Sequence, residues 1–185
     1  TLGYGGHTLA MLKCLNSKGH LYAIDVDPLE LPRTQERLER LGYGSDILEI
    51  RQMNFSQIDQ LAAEAGPFNF VLADLGVSSM QIDNPDRGFS FRSEGPLDLR
   101  LNPHMGSTAA NRLKKMSLDE LQDMLVENAD EPHAGTIAHA IISNLQQGIN
   151  VSTTTQLRNI IKDALKFVPQ ISADEIKKSC QRTFQ

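Results

Sequence analysis

Over the first 74 residues, segments whose apolar residues recur at helical spacing alternate with short apolar runs that are typical of strands. Apolar residues recur at helical spacing over residues 8–16, and a short apolar run over residues 21–24 then ends at Asp25. The same alternation continues with a charged helix, a strand, a second helix and a further strand, predicted at residues 32–41, 47–52, 56–65 and 68–74. Because strands and helices alternate, the pattern predicts an α/β fold with a parallel, doubly wound sheet.

Beyond Arg100 the strand pattern stops, and only helical periodicity remains. The four predicted helices occupy residues 118–126, 133–146, 156–167 and 173–184. Ser117 with Glu120, and Ser172 with Glu175, fit the capping-box pattern that marks a helix start. We therefore predict an α/β core at residues 1–106, an inserted α-helical domain at residues 107–178, and the start of a return to the core at residues 179–185.

A long loop from Asp74 to Arg100 joins the two regions. Asp74 ends an apolar run, and in open α/β sheets ligands bind beyond the carboxyl ends of the strands. Loops of this length are usually either functional or disordered. This loop carries its own apolar residues, which favours an ordered active-site loop; they are Val77, Met80, Ile82, Phe89, Phe91 and Leu97.

A glycine-rich turn opens the chain and precedes the first predicted helix. Asp25 lies twenty positions after Gly5. At this spacing an acidic residue on the second strand reaches ribose hydroxyls, while the glycines let the backbone approach the ligand. A structural alternative is a helix cap made of glycines, followed by an acidic strand end. The presence of both features together favours a nucleotide site.

Composition and charge narrow the function classes. The net charge of −5 at pH 7 argues against bulk attraction to nucleic acid, although a local basic face is compatible with it. No apolar stretch approaches the roughly 20 residues of a membrane span, and no signal segment opens the chain. We therefore expect no membrane partner and a cytoplasmic protein. Cys14 and Cys180 are too few for a disulfide framework or a metal knuckle, and we expect reduced thiols in helices.

Seven short motifs, in order along the whole chain, resemble those of the RsmH/MraW family. They are Gly-Tyr-Gly-Gly-His (3–7), Ala-Ile-Asp-Val-Asp-Pro (23–28), Asn-Phe-Ser (54–56), Asp-Leu-Gly-Val-Ser-Ser-Met-Gln (74–81), Arg-Gly-Phe-Ser-Phe (87–91), Gly-Pro-Leu-Asp-Leu-Arg (95–100) and Arg-Thr-Phe-Gln (182–185). Members of that family are S-adenosylmethionine-dependent methyltransferases that methylate the exocyclic N4 of a cytidine in bacterial 16S ribosomal RNA. The resemblance implies a Rossmann-like class I methyltransferase fold with an inserted α-helical domain.

The resemblance also implies which residues bind S-adenosylmethionine. Gly5, Gly6 and His7 are expected to surround its methionine part, where a Cβ on a glycine would block close approach. Asp25 is expected to bind its ribose hydroxyls.

Three further positions match the family's cofactor contacts. Phe55 matches the position that lies against adenine, and its alternative role is that of a core phenylalanine before a helix. Asp74 and Gln81 match additional contacts. Asp74 also begins the segment in which amino-methylating enzymes present acceptors to the target amine, so the resemblance makes it the predicted catalytic residue.

Candidate substrate contacts lie in the long loop. Phe89 or Phe91 would stack on a cytosine that has left its own stack, unless both are internal staples of the loop. Arg87, Arg92 and Arg100 would contact phosphates, unless a structural ion pair of Asp98 with Arg87 or with Arg100 explains these residues.

The helical region and the histidines give weaker indications of function than the motifs do. His133 and His139 are six residues apart on a predicted helix and do not share a face, so they do not indicate a metal site. The implied partner is ribosomal RNA of the small subunit, in the 30S particle, and a homodimer is left open. Four lysines are candidates either for RNA contacts or for ordinary surface charge: Lys114, Lys115, Lys177 and Lys178.

Two departures from the family pattern leave alternatives open. The family's chains begin earlier and continue further, so we expect this chain to be the middle of such a protein, with a glycine turn that lacks its preceding strand. Where the usual pattern has Tyr-Gly-Glu-Glu, this chain has Asn-Ala-Asp-Glu-Pro-His at residues 128–133. The alternatives are a non-catalytic RNA-binding or assembly module of the same fold, and a methyltransferase that acts on a different RNA or on DNA.

Overall fold

The computed structural model describes residues 2–16 and 18–185. The chain divides into two compact units. The glycine-loop unit comprises the chain up to Met80 together with Leu101–His104, and the helical unit comprises Gln81–Arg100 together with Met105–Gln185. The chain passes from the first unit to the second within a short helix, α4 (Ser79–Asp83).

The glycine-loop unit alternates helices and strands, as the sequence predicts. Its elements are α1 (Gly6–Leu15), β1 (Leu21–Asp25), α2 (Glu30–Arg40), β2 (Leu48–Gln52), a 3-10 turn (Phe55–Gln57) and α3 (Ile58–Ala65). The strands β1 and β2 pair in parallel, with Leu21 opposite Leu48 and Asp25 opposite Gln52. Leu12 of α1 and Leu38 of α2 are buried against this small sheet, so the mixed α/β prediction is confirmed.

The strand predicted at residues 68–74 is wrong. No strand occurs there, and the side chains of Phe70 and Val71 are 71% and 65% exposed. A cavity of about 640 Å³ is bordered by this segment, by β1 and by parts of α1 and α3. A strand forms only where a neighbour pairs with its N–H and C=O groups, and here β2 is the one strand partner of β1 among the described residues. The apolar run at residues 68–74 therefore does not form a strand by itself.

The helical unit contains the four predicted long helices and one shorter helix that the pattern did not reveal. They are α5 (Ala109–Leu113), α6 (Leu118–Ala129), α7 (Ala134–Gln146), α8 (Thr154–Leu165) and α9 (Ala173–Thr183). The capping box of Ser117 and Glu120 is present, and Ser172 accepts a hydrogen bond from the Glu175 backbone N–H at 3.1 Å. Ile137, Ile141 and Ile161 have no exposed surface and form the centre of the core.

Residues 81–100, the larger part of the long loop, pack within the helical unit, whereas the sequence predicted that the α/β core extends to residue 106. The backbone N–H of Leu97 donates to the Ser152 carbonyl at 2.8 Å, and that of Thr154 donates to the Gly95 carbonyl at 3.0 Å. At the other end of the sequence, Cys180 and Phe184 belong to the same helical core. Residues 179–185 therefore complete the helical unit, where the sequence predicted a return to the core.

Both cysteines are free thiols in helices, as expected. Cys14 is exposed on α1, whereas burial raises the pKa of the Cys180 thiol on α9. Within residues 2–16 and 18–185, no helix has both the length and the apolar character that crossing a membrane requires.

Candidate cofactor-binding site

The glycine loop (residues 3–6) follows Leu2, whose backbone N–H contacts β1, and leads into helix α1. Gly3 and Gly5 have φ values of +49° and +75°, a region that residues with a Cβ enter at a cost. The N–H of Gly5 donates to the Leu2 carbonyl at 2.7 Å, which closes the turn. A Cβ on Gly5 would lie 2.9 Å from Cγ2 of Thr34 in α2, so glycine is required there for space as well as for conformation.

Asp25 ends β1 directly beside the glycine loop. Its Oδ2 accepts a hydrogen bond from the Gly3 N–H at 2.8 Å, and its Oδ1 accepts one from the Asp27 N–H at 3.0 Å. The Leu2 N–H donates to the Ile24 carbonyl at 2.8 Å and ties the start of the loop to the same strand. The spacing of the loop and Asp25 in the sequence thus corresponds to a direct contact.

A cavity of about 290 Å³ lies between the glycine loop and the segment that follows residue 73. Residues 2–7 line one side, and Asp74, Gly76 and Ser78 are part of the other. The cavity therefore brings together four of the predicted site residues, Gly5, Gly6, His7 and Asp74. Its volume is near the lower end of the range for small-molecule sites, and its lining combines apolar residues such as Leu2 and Val77 with polar side chains.

His7 and Asp74 face each other in this cavity. Nδ1 of His7 lies 3.3 Å from Oδ2 of Asp74, and both side chains are more than half exposed. A carboxylate at such a place can accept hydrogen bonds from an amine. The imidazole can limit the rotation of the carboxylate by contacting one of its oxygens.

The three other predicted cofactor residues do not line this cavity: Asp25, Phe55 and Gln81. Phe55 opens the 3-10 turn after β2, where Asn54 Oδ1 accepts the Ser56 N–H at 2.9 Å. The Phe55 side chain is 52% exposed, so it is not the core residue that the alternative reading required. Gln81 is buried in α4.

Comparison with known proteins places this geometry in a family. The sequence profile of the MraW methylase family matches residues 1–185, the whole chain. The chain belongs to the MraW methylase family. The RsmH/MraW resemblance stated from the motifs is thereby confirmed, and with it the α/β class of the fold.

Three curated relatives match the chain over its full length. They are a ribosomal RNA small subunit methyltransferase H 2 of Alkaliphilus metalliredigens (76% identical) and two proteins named ribosomal RNA small subunit methyltransferase H 1, from Lachnoclostridium phytofermentans (60%) and Agathobacter rectalis (56%). The alignments cover 100% of this chain and 53%, 51% and 53% of the respective relatives. The chain thus spans about half the length of these relatives.

Two of the predicted substrate arginines of this MraW family member, Arg87 and Arg100, have structural partners. Nε and Nη2 of Arg100 each donate to a different oxygen of Asp98 at 2.7 Å, which is the ion pair that the sequence left open. These hydrogen bonds hold the pKa of the Asp98 carboxyl below its usual value. Arg87 is buried, and its Nη2 donates to the Arg100 carbonyl at 3.1 Å.

The two predicted base-stacking residues differ in their surroundings. The ring of Phe91 packs against Phe184, with 5.4 Å between centroids, as an internal staple of the loop would. Phe89 is half-buried, and the guanidinium carbon of Arg87 lies 5.8 Å from its ring centroid. Of the two, Phe89 has the ring that is not packed into the helical core.

The divergent segment at residues 128–133 belongs to the helical unit and has a packing role. Glu131 is buried, and its Oε1 accepts hydrogen bonds from the Ser179 hydroxyl and the His133 N–H, both at 2.9 Å. Nη1 of Arg182 lies 3.5 Å from Oε2 of Glu131. The segment therefore joins the start of α7 to the end of α9.

Sequence reasoning missed several residues near the cavity. Tyr4 lines the cavity, and Thr34 and Arg37 of α2 contact the glycine loop from below. The position of Tyr4 inside a glycine-rich turn was the one feature of the sequence that could have indicated its place at the cavity. Thr34 and Arg37 lie about thirty positions further along and gave no signal, because only the packing of α2 brings them to the loop.

Proposed function

We propose that the protein containing this chain is an S-adenosylmethionine-dependent methyltransferase that methylates the exocyclic N4 of a cytidine in bacterial 16S ribosomal RNA. The observation that carries the proposal is the cavity shared by the glycine loop and Asp74. One side of this cavity is a glycine loop of the kind that binds nucleotides, and the other side carries the Asp74 carboxylate. The proposal also agrees with the printed names of the relatives, which describe small-subunit ribosomal RNA methyltransferases.

The residues present fit S-adenosylmethionine. Gly5 has a positive φ, which residues with a Cβ enter at a cost, and it lines the cavity together with Gly6 and His7. We assign the methionine part of the cofactor to Gly5, Gly6 and His7. Asp25, which already holds the Gly3 N–H, retains carboxylate lone pairs for the ribose hydroxyls. Phe55 has an exposed ring that suits adenine stacking.

Asp74 is the residue we assign to the chemistry. The lone pair of an exocyclic amine is delocalised into the cytosine ring, which makes the nitrogen a poor nucleophile. A carboxylate that accepts a hydrogen bond from the N4 amine localises this lone pair and favours in-line attack. The bound cofactor supplies the electrophilic methyl group. His7, 3.3 Å from Asp74, keeps the carboxylate oriented during this step.

RNA contacts are assigned to the helical unit and the long loop. Lys114 and Lys115 follow α5, are exposed and form no ion pair with any residue that the structure describes. Lys178, by contrast, lies 2.9 Å from Asp174, so its charge is partly neutralised. We assign phosphate contacts to Lys114 and Lys115, because these two exposed lysines are adjacent in the sequence and neither forms an ion pair among the described residues. We assign Phe89 to the target base.

The experiment uses a full-length protein containing this sequence, with small-subunit particles as substrate. Mass spectrometry of the digested ribosomal RNA should reveal N4-methylcytidine that depends on the protein and on S-adenosylmethionine. Asp74→Asn should lower kcat by about 100-fold, the scale for losing one key acceptor or donor in an active site. Asp83→Asn, an exposed carboxylate at the end of α4, is the matched control and should keep normal kcat.

The same assay separates the competing functions. Charge reversal of Lys114 and Lys115 to Glu should raise the KM for the particle and leave cofactor affinity unchanged. Particle binding without any methylated product would favour the non-catalytic module. Product in another RNA or in DNA would favour the different-substrate methyltransferase. Because the proposed substrate is the 30S particle, we expect the protein to act in the cytoplasm. Sedimentation of the full-length protein tests whether it forms a homodimer.

A further inference from the structure

One face of α2 lies directly beneath the glycine loop. The hydroxyl of Thr34 donates a hydrogen bond of 2.8 Å to the Gly3 carbonyl, across 31 positions of sequence. Thr34 is only 1% exposed, so water does not replace this bond readily. Its Cγ2 and the Cδ1 of Leu38 approach the position of a Gly5 Cβ at 2.9 and 3.4 Å. The loop thus rests on a fixed helical surface.

Arg37, one turn further along α2, holds the next residue of the loop. Its guanidinium carbon lies 3.5 Å from the centroid of the Tyr4 ring, the geometry of a stacked cation–π pair. Nη2 of Arg37 is buried and has no hydrogen-bond partner among the described residues. Tyr4 is 50% exposed and lines the cavity. The stack therefore fixes the position of a cavity wall without filling the cavity.

We propose that Thr34 and Arg37 are positioning residues that set the affinity for S-adenosylmethionine by holding the glycine loop in its binding conformation. The inference rests on the proposed cofactor function. Neither side chain lines the cavity, so both act through Gly3, Tyr4 and Gly5. A loop that must be ordered at each binding event loses affinity because the ordering entropy is subtracted from the contact energy. A loop that is already held avoids this loss.

Substitutions at Thr34 separate the hydroxyl from the packing. Thr34→Val keeps the shape and removes the donor, and should weaken cofactor binding by roughly fivefold, the value of one ordinary hydrogen bond. Thr34→Ser keeps the donor and should bind within about twofold of the parent. The KM for the cofactor should rise in Thr34→Val while kcat stays within about twofold. Calorimetry and initial rates on the full-length protein measure both quantities.

Substitutions at Arg37 test the stack. Arg37→Met keeps an unbranched side chain but loses the cation, and should weaken binding by roughly two- to fivefold. Arg37→Lys should recover part of this loss. Arg40→Met is the matched control, because Arg40 lies one turn away in α2 and pairs with Glu36 on the exposed surface. Tyr4→Leu removes the same stack together with part of the cavity wall, so it should weaken binding at least as much as Arg37→Met. Adding Arg37→Met to Tyr4→Leu should weaken binding little further, since the stack is already lost.

A second measurement covers the case in which a Thr34 variant folds poorly. Hydrogen exchange at the Gly5, Gly6 and His7 amides, without ligand, should be faster in Arg37→Met than in the parent or in Arg40→Met. Equal affinity of Thr34→Val and Thr34→Ser, or unchanged exchange and affinity in Arg37→Met, would overturn the positioning role alone. A parent protein that binds no S-adenosylmethionine would instead overturn the proposed function, and the positioning role with it.

Discussion

The backbone N–H of Gly3 donates a hydrogen bond of 2.8 Å to Oδ2 of Asp25, 22 positions further along the chain. This contact gives Asp25 a task before any ligand binds, because it anchors the first glycine of the loop to the end of β1. The same carboxylate holds the Asp27 N–H, which begins the turn into α2. Asp25 therefore connects the loop, the strand and the helix that surround the candidate cofactor site.

Asp25→Ala should weaken S-adenosylmethionine binding by roughly 1–3 kcal/mol, the range for losing hydrogen bonds to a charged group. Calorimetry on the full-length protein measures this loss. A cofactor analogue without the ribose 2′-hydroxyl distinguishes the two tasks of the carboxylate. If Asp25 binds the ribose, the preference for the normal cofactor over the analogue should disappear in Asp25→Ala. A preference of the same size in both proteins would leave Asp25 with the loop-anchoring task only.

Phe55→Ala should weaken cofactor binding by roughly 1–3 kcal/mol, the value of a base stacked on an aromatic ring, with little change in the melting temperature. The small effect on stability follows from the 52% exposure of the side chain. Phe55→Tyr keeps the ring and is the control. A large drop in melting temperature with normal affinity would contradict the stacking assignment.

Asp98→Asn should destabilise the helical unit at pH 7 by roughly 1–3 kcal/mol, because Asp98 accepts two charged hydrogen bonds from Arg100. Arg100 holds the pKa of Asp98 below its unfolded value, so the paired carboxylate stabilises the fold above about pH 4 and this stabilisation is lost as pH falls through the lowered pKa. The gap between Asp98→Asn and the parent in urea unfolding should therefore narrow progressively below about pH 4.

Asp163→Asn is the matched control for this pH experiment. Its carboxylate pairs with Lys166 at 2.6 Å, but both side chains are about two-thirds exposed, and such pairs contribute little. Unfolding of this variant should follow the parent at every pH. A gap for Asp98→Asn that persists unchanged at low pH would mean that the ion pair is not its source.

The 185-residue chain should self-associate through the exposed apolar segment at residues 68–75. Phe70 and Val71 are mostly exposed there, beside a cavity along β1, and β2 is the one strand that pairs with β1 among the described residues. Exposed apolar surface beside an open strand edge promotes association. Replacing Phe70 with Ser and Val71 with Lys should shift sedimentation toward the monomer. Phe167→Ser removes an aromatic ring that is 87% exposed in the helical unit, and this control should sediment as the parent does. A parent chain that is monomeric at high concentration would refute the prediction.

Local patterns in the sequence determined most of the secondary structure. The helices α6 to α9 begin and end within a few residues of their predicted positions, and the capping box of Ser117 and Glu120 is formed. Helical periodicity and capping involve residues three or four positions apart, so the sequence contains them directly. The strands β1 and β2 also begin and end within one residue of their predicted positions.

The sequence could not determine which distant groups meet. Residues 68–74 have a strand-like composition, but strand formation depends on a partner backbone, and this segment has none among the described residues. Residues 81–100 look like an active-site loop of the α/β core, yet backbone hydrogen bonds to Ser152 and Thr154, more than fifty positions away, place them in the helical unit. The sequence left two roles open for Arg100, a phosphate contact or an ion pair with Asp98, and the structure forms the ion pair.

Among the predicted cofactor residues, only tertiary structure decided that Gly5, Gly6, His7 and Asp74 line one cavity while Phe55 does not reach it. It also revealed Thr34 and Arg37, which have no motif of their own. Such contacts depend on how α2 packs against the loop, and packing is set by the shapes and volumes of many side chains together. A one-dimensional pattern records the types of those side chains but not their joint arrangement in space.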